Sequence, residues 1–538
     1  MPAHAYPLLI KQLLVTPIQQ ASGAEIVYRD LRRHTYPEFI TRIARLGSAL
    51  TRLGARPGMR IAVLDWDSHR YLECYFAVPM LGAVLMTANP RLAPEQLAYT
   101  LDHSGAEILL VHPDFVPLVA QIRARLPKLQ TLIALPDDGM IPPGFDGAGE
   151  YEALLAGADP GFVFPEFDEN TTATQFYTTG TTGLPKGVSF SHRQIVLHTI
   201  TLMANLMLAS RNGRLSREAV YMPLTPMFHV HAWGMPYVAT LAGMKQVYPG
   251  RYAPPTIAAL YAREGATFSH CVPTILNMLL AAPEFAALDL SGWQVIIGGS
   301  ALPRGLAEAA LARGIDVYAG YGMSETCPVL SLAQVKPDVA AGEDELRART
   351  SAGLPSVLVE LRIVDEAMND LPHDGAHPGE VVARAPHLTA GYVGNEAASE
   401  VLWAGGWLHT GDIGVIGVIG ADGYLRITDR AKDVIKTGGE WVSSLDLEDL
   451  ISRHADVGEV AVIGVPDAKW GERPVALVVA KAGHDLDPES VRQFLVAAAA
   501  RGAISRFAVP ERIELVAALD KTSVGKLDKK RLRARVSG

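Results

Sequence analysis

The sequence predicts an α/β fold assembled from more than one packed unit, and three observations carry that reading. The chain has 538 residues, too many for one hydrophobic core, since domains run to roughly 100–200 residues each. Short apolar runs alternate with amphipathic segments over most of its length, the pattern of parallel strands crossed by helices. Past about residue 350 glycine-punctuated strand patterns take over, and after residue 429 a compact new series begins.

In chain order, Ile43, Leu46, Leu50 and Leu53 recur at helical spacing before RIAVLD at 60, a buried-strand pattern. AVLMTAN, EILLVH and TLIAL continue the series, separated by segments such as APEQLAYTLDHSG. A second series from about 190 to 325 includes KQVYPG, TFSHCVP, WQVIIGGS and DVYAGYG. VLVELRIVD and GEVVARAP mark a β-rich stretch over 350–428. Beyond DRAKDV at 429, VSSLDLEDLISRH and PESVRQFLVAAAA read as helices and EVAVIGVPD and RPVALVVAK as strands, which places a domain boundary there. The closing KTSVGKLDKKRLRARVSG is basic and contains Gly and Ser, the composition of a solvated tail.

Composition narrows the function. At 49% hydrophobic and 20% charged residues the chain lies far from disordered sequences. A net charge of -9 gives no general attraction to phosphate backbones, so nucleic acid is disfavoured as a partner. Three cysteines, Cys74, Cys271 and Cys327, without CxxC spacing, argue against disulfide frameworks and zinc sites and fit a reducing cytoplasm. The opening MPAHAYPLLIKQLLVTP lacks a basic n-region and carries Lys11 in its apolar stretch, so no signal peptide is expected. Residues 219–244 form an uncharged run of membrane-spanning length, but Pro223, Pro226 and Pro236 interrupt it, favouring buried strand and loop over integral membrane association.

The most informative stretch is Tyr177 to His192, YTTGTTGLPKGVSFSH, between a strand-like and a helical segment. Gly180 lets backbone approach an anion, the hydroxyls of Thr178, Thr179, Thr181 and Thr182 supply donors, and Lys186 supplies charge. It is not a Walker A loop, because Pro185 precedes the lysine and Gly187 follows it where Ser or Thr is required. GGSAL at 298 is likewise not a nucleophile elbow, since Leu302 stands in place of the last glycine.

Together with YGMSET at 321, GWLHTGD at 406, DRAKD at 429 and KTSVGK at 521, in that order, the loop resembles the adenylate-forming superfamily of acyl-CoA synthetases, nonribosomal adenylation domains and firefly luciferase. TPMFHVHAW at 225 and IKTGGEWVSS at 435 are most similar to bacterial medium- and long-chain fatty acyl-CoA synthetases and to 3-methylthiopropionate-CoA ligases. The resemblance spans essentially the whole chain. It implies a large N-terminal AMP- and acyl-binding domain (1–428) of stacked α/β subdomains with a β-rich subdomain, a hinge (429–434), and a small mobile C-terminal α+β lid (435–538). It further implies that a carboxylic acid reacts with ATP and Mg2+ to give acyl-AMP, which coenzyme A then attacks. That first step brings two anions together, so fixed cations in a dry site are required.

By the same resemblance Lys186 and the threonines serve the β- and γ-phosphates, and Thr178 and Glu325 match magnesium positions. Tyr321 stacks on adenine between Gly320 and Gly322, with Ser324 near a nucleotide phosphate. Asp412 accepts from both ribose hydroxyls and Arg430 adds donors to the same diol. Lys526 is the expected catalytic residue, reaching the acyl carboxylate and α-phosphate, although Asp520 stands where the family often has Pro. Lys432 occupies the hinge position beside Asp433, Gly438 and Gly439 line the path of pantetheine, and Lys436 and Trp441 contact AMP. His229, Val230 and Trp233 border the carboxylate and gate the acyl channel, with Gly299 and Ser300 as its other wall. His229 takes part in the chemistry or is a hydrogen-bonded core histidine; sequence leaves both open.

The expected acid is a medium- or long-chain fatty acid, against three alternatives: a short acid such as 3-methylthiopropionate, a carrier protein as acyl acceptor, and a non-catalytic nucleotide or acyl sensor. A sensor would be expected to have lost Lys526, Glu325 or Asp412, and all three are present. The resemblance also implies a homodimer.

Overall fold

The strand Arg60–Leu64 is apolar on both faces because helices cover both sides of its sheet, as parallel sheets require. A computed structural model describes residues 6–537 other than 21, 179–183, 210–212, 214, 418–421, 438–439, 468 and 523–524, with the backbone alone for 440, 441 and 537. Arg60–Leu64 lies third in a six-stranded sheet with Thr131–Ala134, Ala106–Val111, Val84–Thr87, Thr172–Thr178 and Lys186–Ser191. All its neighbouring pairs are parallel except the last, an antiparallel hairpin. A nine-stranded sheet carries the second predicted series: Asp316–Gly322, Gln294–Ile297, Phe268–Cys271, Val220–Tyr221, Lys245–Tyr248 and Glu25–Tyr28 run parallel at its centre. One hydrophobic core joins the two sheets.

Local signals start the helices where the sequence predicts them. Thr35 and Glu38 form a reciprocal capping box before Tyr36–Arg52, and Ser191 and Gln194 do the same before His192–Met207. The β-rich stretch is a four-stranded antiparallel sheet, Glu360–Val364, Gly379–Arg384, Leu408–Ile416 and Leu425–Arg430. The next strand, Ile435–Thr437, already belongs to a separate five-stranded sheet with its own core, so the chain crosses from one sheet to the other through residues 431–434.

Two expectations are corrected. The C-terminal basic segment is not a solvated tail: Lys529–Ser537 is a helix whose Leu532 is fully buried among Ala461, Ile463 and Leu477. Its Lys529 Nζ sits 2.7 Å from Glu448 and donates to Ser444. Residues 219–244 contain, besides strand and loop, a buried helix Met235–Leu241 that uses Pro236 in its first turn, where proline costs no hydrogen bond. No described helix is long and apolar enough to cross a membrane. Among the described residues His34, His69 and Glu73 bring potential metal ligands within 4.8 Å of one another. Both oxygens of Glu73, however, accept from Arg42, and one also from Tyr151, so this trio belongs to a buried ion-pair cluster.

Candidate adenylate-forming site

The C-terminal ends of the central strands meet Lys526 of the C-terminal domain beside Gly299, as ligand sites in parallel α/β sheets lie at strand ends. Thr178 ends the strand Thr172–Thr178, and Lys186 begins the partner strand directly opposite it. Between them Thr179, Gly180, Thr181 and Thr182 lie outside the described residues. The Lys186 ammonium stands 4.4 Å from the ring centroid of Tyr392, a cation–π distance. The Tyr392 hydroxyl donates to Glu325 Oε1 at 2.7 Å. Glu325 is 7% exposed and follows Ser324 in a short 3-10 turn. A carboxylate offers oxygen of the hard type that Mg2+ prefers, and the Thr178 hydroxyl, opposite Lys186 in the hairpin, is a second oxygen donor. The residues present therefore fit the cation.

Tyr321, Asp412 and Arg430 come together from separate strands. Asp412 and Arg430 are direct cross-strand partners, with Arg430 Nε 3.6 Å from Asp412 Oδ1. The Tyr321 hydroxyl donates to Asp412 Oδ2 at 2.9 Å. Burial raises the Asp412 carboxyl above its ordinary value, while Arg430, the Tyr321 hydrogen bond and Lys526 pull it back. Each carboxylate oxygen keeps acceptor capacity for a diol. The flanking glycines have an internal reason as well: a Cβ on Gly322 would lie 1.8 Å from the Pro328 carbonyl oxygen, and one on Gly320 would lie 3.0 Å from Leu332.

Lys526 enters this cleft from the lid. Thr522 flanks it, with Thr522 N–H donating to the Lys526 carbonyl at 2.7 Å and Lys526 N–H to Thr522 Oγ1 at 3.2 Å. The aliphatic stem passes over Gly299, where an added Cβ would stand 3.1 Å from Lys526 Cε and 3.2 Å from Val272 Cγ1. Burial, and then Arg430, push the Lys526 ammonium down to about 8, while Asp412 and Glu325 act the other way. Asp520, in place of the expected proline, uses only its carbonyl here, accepting from Asp528 N–H. Ser300 is exposed at the rim beside Gly299.

His229 sits in the same field: burial, then Lys526 and Arg91, bring its imidazole down to about 3, so it is neutral at physiological pH. The residues after it form a left-handed turn. Val230, His231, Ala232 and Trp233 have φ of +47°, +55°, +46° and +56°, and Gly234 follows at +76°. Left-handed backbone costs ~1–2 kcal/mol per L-residue, so the four residues store roughly 4–8 kcal/mol. Surrounding contacts hold it: Asp67 accepts from Met227 N–H at 2.8 Å, Thr87 donates to the Phe228 carbonyl at 2.8 Å, and His198 lies where a Cβ on Gly234 would fall. Strain of this kind concentrates at functional sites. It buries Trp233 against Gly298, 2.9 Å from a Cβ built there, and tilted on His270 with ring centroids 5.0 Å apart.

Lys432 lies exposed in the 431–434 crossing between the sheets, its ammonium lowered by burial of its stem and by Arg430. Asp433 beside it pairs with Arg533 at 2.6 Å. Lys436 is exposed on Ile435–Thr437, and its backbone N–H donates to Glu472 at 2.9 Å. Gly438, Gly439 and the Trp441 side chain fall outside the described residues. Sequence reasoning missed Tyr392, Asp67 and His270. Tyr392 carried a faint signal, an aromatic directly after Gly391 in the β-rich stretch; the other two had none, because their partners are remote in sequence.

The AMP-binding enzyme family matches residues 16–393, and the AMP-binding enzyme C-terminal domain matches residues 446–526. A long-chain-fatty-acid–CoA ligase of Thermus thermophilus is 41% identical over 509 residues, 94% of this chain and 90% of that protein. A 3-methylmercaptopropionyl-CoA ligase of Ruegeria lacuscaerulensis is 36% identical over 537 residues, 98% of this chain and 97% of that protein. The crystal structure of the anthranilate CoA ligase AuaEII in complex with anthranoyl-AMP shares the fold, with a TM-score of 0.86 at 24% identity over 99% of both chains. Matched over most of its length by the family and by these relatives, the chain belongs to the AMP-binding enzymes and has their adenylate-forming fold.

Proposed function

We propose that this chain joins a medium- or long-chain fatty acid to coenzyme A through an acyl-AMP intermediate, in the cytoplasm. The single observation that carries the reading is the placement of Lys526 from the C-terminal domain over Gly299, beside the strand end at Gly320 from which Tyr321 reaches Asp412 and Arg430. In the first half-reaction the acid's carboxylate oxygen attacks the α-phosphorus of ATP and pyrophosphate leaves. Lys526 offsets the charge between the two anions, Lys186 meets the outer phosphates, and Asp412 with Arg430 fixes the ribose. Mg2+ held by Glu325 and Thr178 would supply charge neutralisation at the phosphates. In the second half-reaction the thiol of coenzyme A attacks the acyl carbon, AMP leaves, and the thiol proton goes to solvent.

His229 is assigned a neutral wall of the carboxylate site, in keeping with its low basicity. Residues 1–428 would form the binding domain and 435–538 the lid, turning about Lys432. Gly438 and Gly439 would then line the thiol's path, and Lys436 and Trp441 the AMP site. Three buried, unpaired cysteines support the reducing compartment.

One observation favours a short acid such as 3-methylmercaptopropionate instead. Behind Trp233, His270 is bonded on both ring nitrogens, to Tyr221 at 2.8 Å and Thr225 at 3.0 Å, and stacks on Tyr221. A long chain must displace Trp233 from that wall; a short one need not. Incubation with Mg2+-ATP, coenzyme A and acids from propionate and 3-methylmercaptopropionate through palmitate, following AMP and thioester, decides between them. AMP formation without thioester would point to a carrier protein as acceptor, and no acid-dependent turnover would overturn the enzyme reading. Light scattering of the same sample tests the homodimer.

A further inference from the structure

The phosphate-facing cation and the buried carboxylate of the cleft share one unassigned neighbour. We infer that Tyr392 is a positioning residue that couples Lys186 to Glu325, so that the two groups bind Mg2+-ATP as a unit; this rests on the nucleotide-binding reading above.

Two different parts of one side chain make the connection. The ring face lies under the Lys186 ammonium at 4.4 Å, while the hydroxyl donates to Glu325 Oε1 at 2.7 Å. The backbone fixes the tyrosine independently on both sides. Tyr392 bridges Val188 in antiparallel fashion and Val393 N–H donates to the Gly187 carbonyl at 2.9 Å, tying the segment to the strand that begins at Lys186. Its own N–H donates to Ser399 Oγ at 2.8 Å, and Thr389 N–H donates to the Glu325 carbonyl at 2.9 Å, tying it to the turn that carries the carboxylate. The lysine and the glutamate are otherwise on separate elements, 139 residues apart in the chain by their numbers.

The geometry also says what each contact does. The hydroxyl bonds Oε1 and so restrains rotation of the carboxylate that would hold the cation. The ring holds a flexible lysine over the hairpin in the absence of nucleotide, lowering the ordering cost when phosphate arrives. The two contacts are separable by substitution: Tyr392→Phe removes the hydroxyl and keeps the ring, whereas Tyr392→Leu removes both.

Calorimetric titration of the full chain with AMP, with α,β-methylene-ATP in EDTA, and with the same analogue in Mg2+ tests the inference without turnover. AMP, which has no outer phosphates, should bind all three proteins within about twofold. Tyr392→Phe should bind the metal-free analogue like the wild type yet lose about tenfold of the Mg2+-dependent gain, as expected when a hydrogen bond to a carboxylate is removed. Tyr392→Leu should also lose about fivefold with the metal-free analogue, through the missing cation–π contact. An unchanged Mg2+-dependent gain in Tyr392→Phe, or identical behaviour of the two variants, would overturn the coupling. Equal loss of AMP binding would mark a merely structural tyrosine. Failure of the wild type to bind any of the nucleotides would instead overturn the nucleotide-binding reading itself.

Discussion

Replacing Lys526 with alanine is expected to separate the two half-reactions. An ammonium about 4 Å from a developing anion contributes about 4 kcal/mol at an effective dielectric near 20. Loss of one preorganised partner in a dry site typically removes ~2.7–4 kcal/mol. Both figures place the loss of adenylation at roughly 10²–10³-fold. The same lysine carries a cost in the unliganded cleft: the fall from 10.5 to about 8, at about 1.4 kcal/mol per pH unit, is ~3.5 kcal/mol. The sign follows from proton binding. Between pH 8 and 10.5 the lysine binds fewer protons in the closed cleft than in water, so closure strengthens as pH rises through that window. The penalty is present in full below it. The alanine variant lacks the penalty, so its closed form should be favoured over wild type at pH 7, and the two should converge toward pH 10.5. Acid-dependent ATP–pyrophosphate exchange measures the first half-reaction, and thioester formation from synthetic acyl-AMP and coenzyme A the second. Wild-type kcat/KM for ATP should decline as pH rises through about 8, and the variant's residual rate should not. Exchange within about threefold of wild type, where ~100-fold loss is expected, or an equal fall in both half-reactions, would refute the electrostatic role.

Three further outcomes are expected. Gly299→Ala places a methyl group 3.1 Å from Lys526 Cε at a φ of +78°, so pyrophosphate exchange should fall at least about tenfold while AMP affinity, by calorimetry, stays unchanged. Tyr321→Phe removes a donor that holds the Asp412 carboxyl down; Asp412 then protonates at higher pH, and AMP affinity should suffer more at pH 6 than at pH 8. Asp67 is raised to about 7 by burial, so its stabilising contribution is full below its unfolded value of 3.8 and is lost as pH rises through about 7. Asp67→Asn should therefore gain in melting temperature relative to wild type between pH 5 and pH 8, which a thermal scan at each pH would show.

The local elements were legible because each depends on nearby residues. RIAVLD at 60 and WQVIIGGS at 293 became strands because β-branched and aliphatic runs bounded by turns suit a sheet covered on both faces. The two capping boxes fixed helix starts within a single turn of chain. The C-terminal tail misled because its apolar residues, Leu527, Leu532 and Val536 among them, are scattered between basic ones, and the groove that buries Leu532 and Val536 is built by strands over 50 residues before Leu532.

Sequence by itself determined which residue types are available for chemistry: Lys186 in the threonine-rich loop and Lys526 near the C-terminal end, a glutamate after YGMS, and an aspartate in HTGD. Their ordered motifs were enough to indicate phosphate, diol and carboxylate recognition. Tertiary structure alone decided how those groups meet. Cross-strand register set Asp412 opposite Arg430, and packing of the C-terminal domain brought Lys526 over Gly299. A tyrosine 67 residues from Glu325 came to hold it. The left-handed turn at Val230–Trp233 has no local sequence cause, since no L-residue prefers that backbone. Contacts from Asp67, Thr87 and His198 impose it, and contacts between residues so far apart in the chain are set by packing rather than by any local pattern.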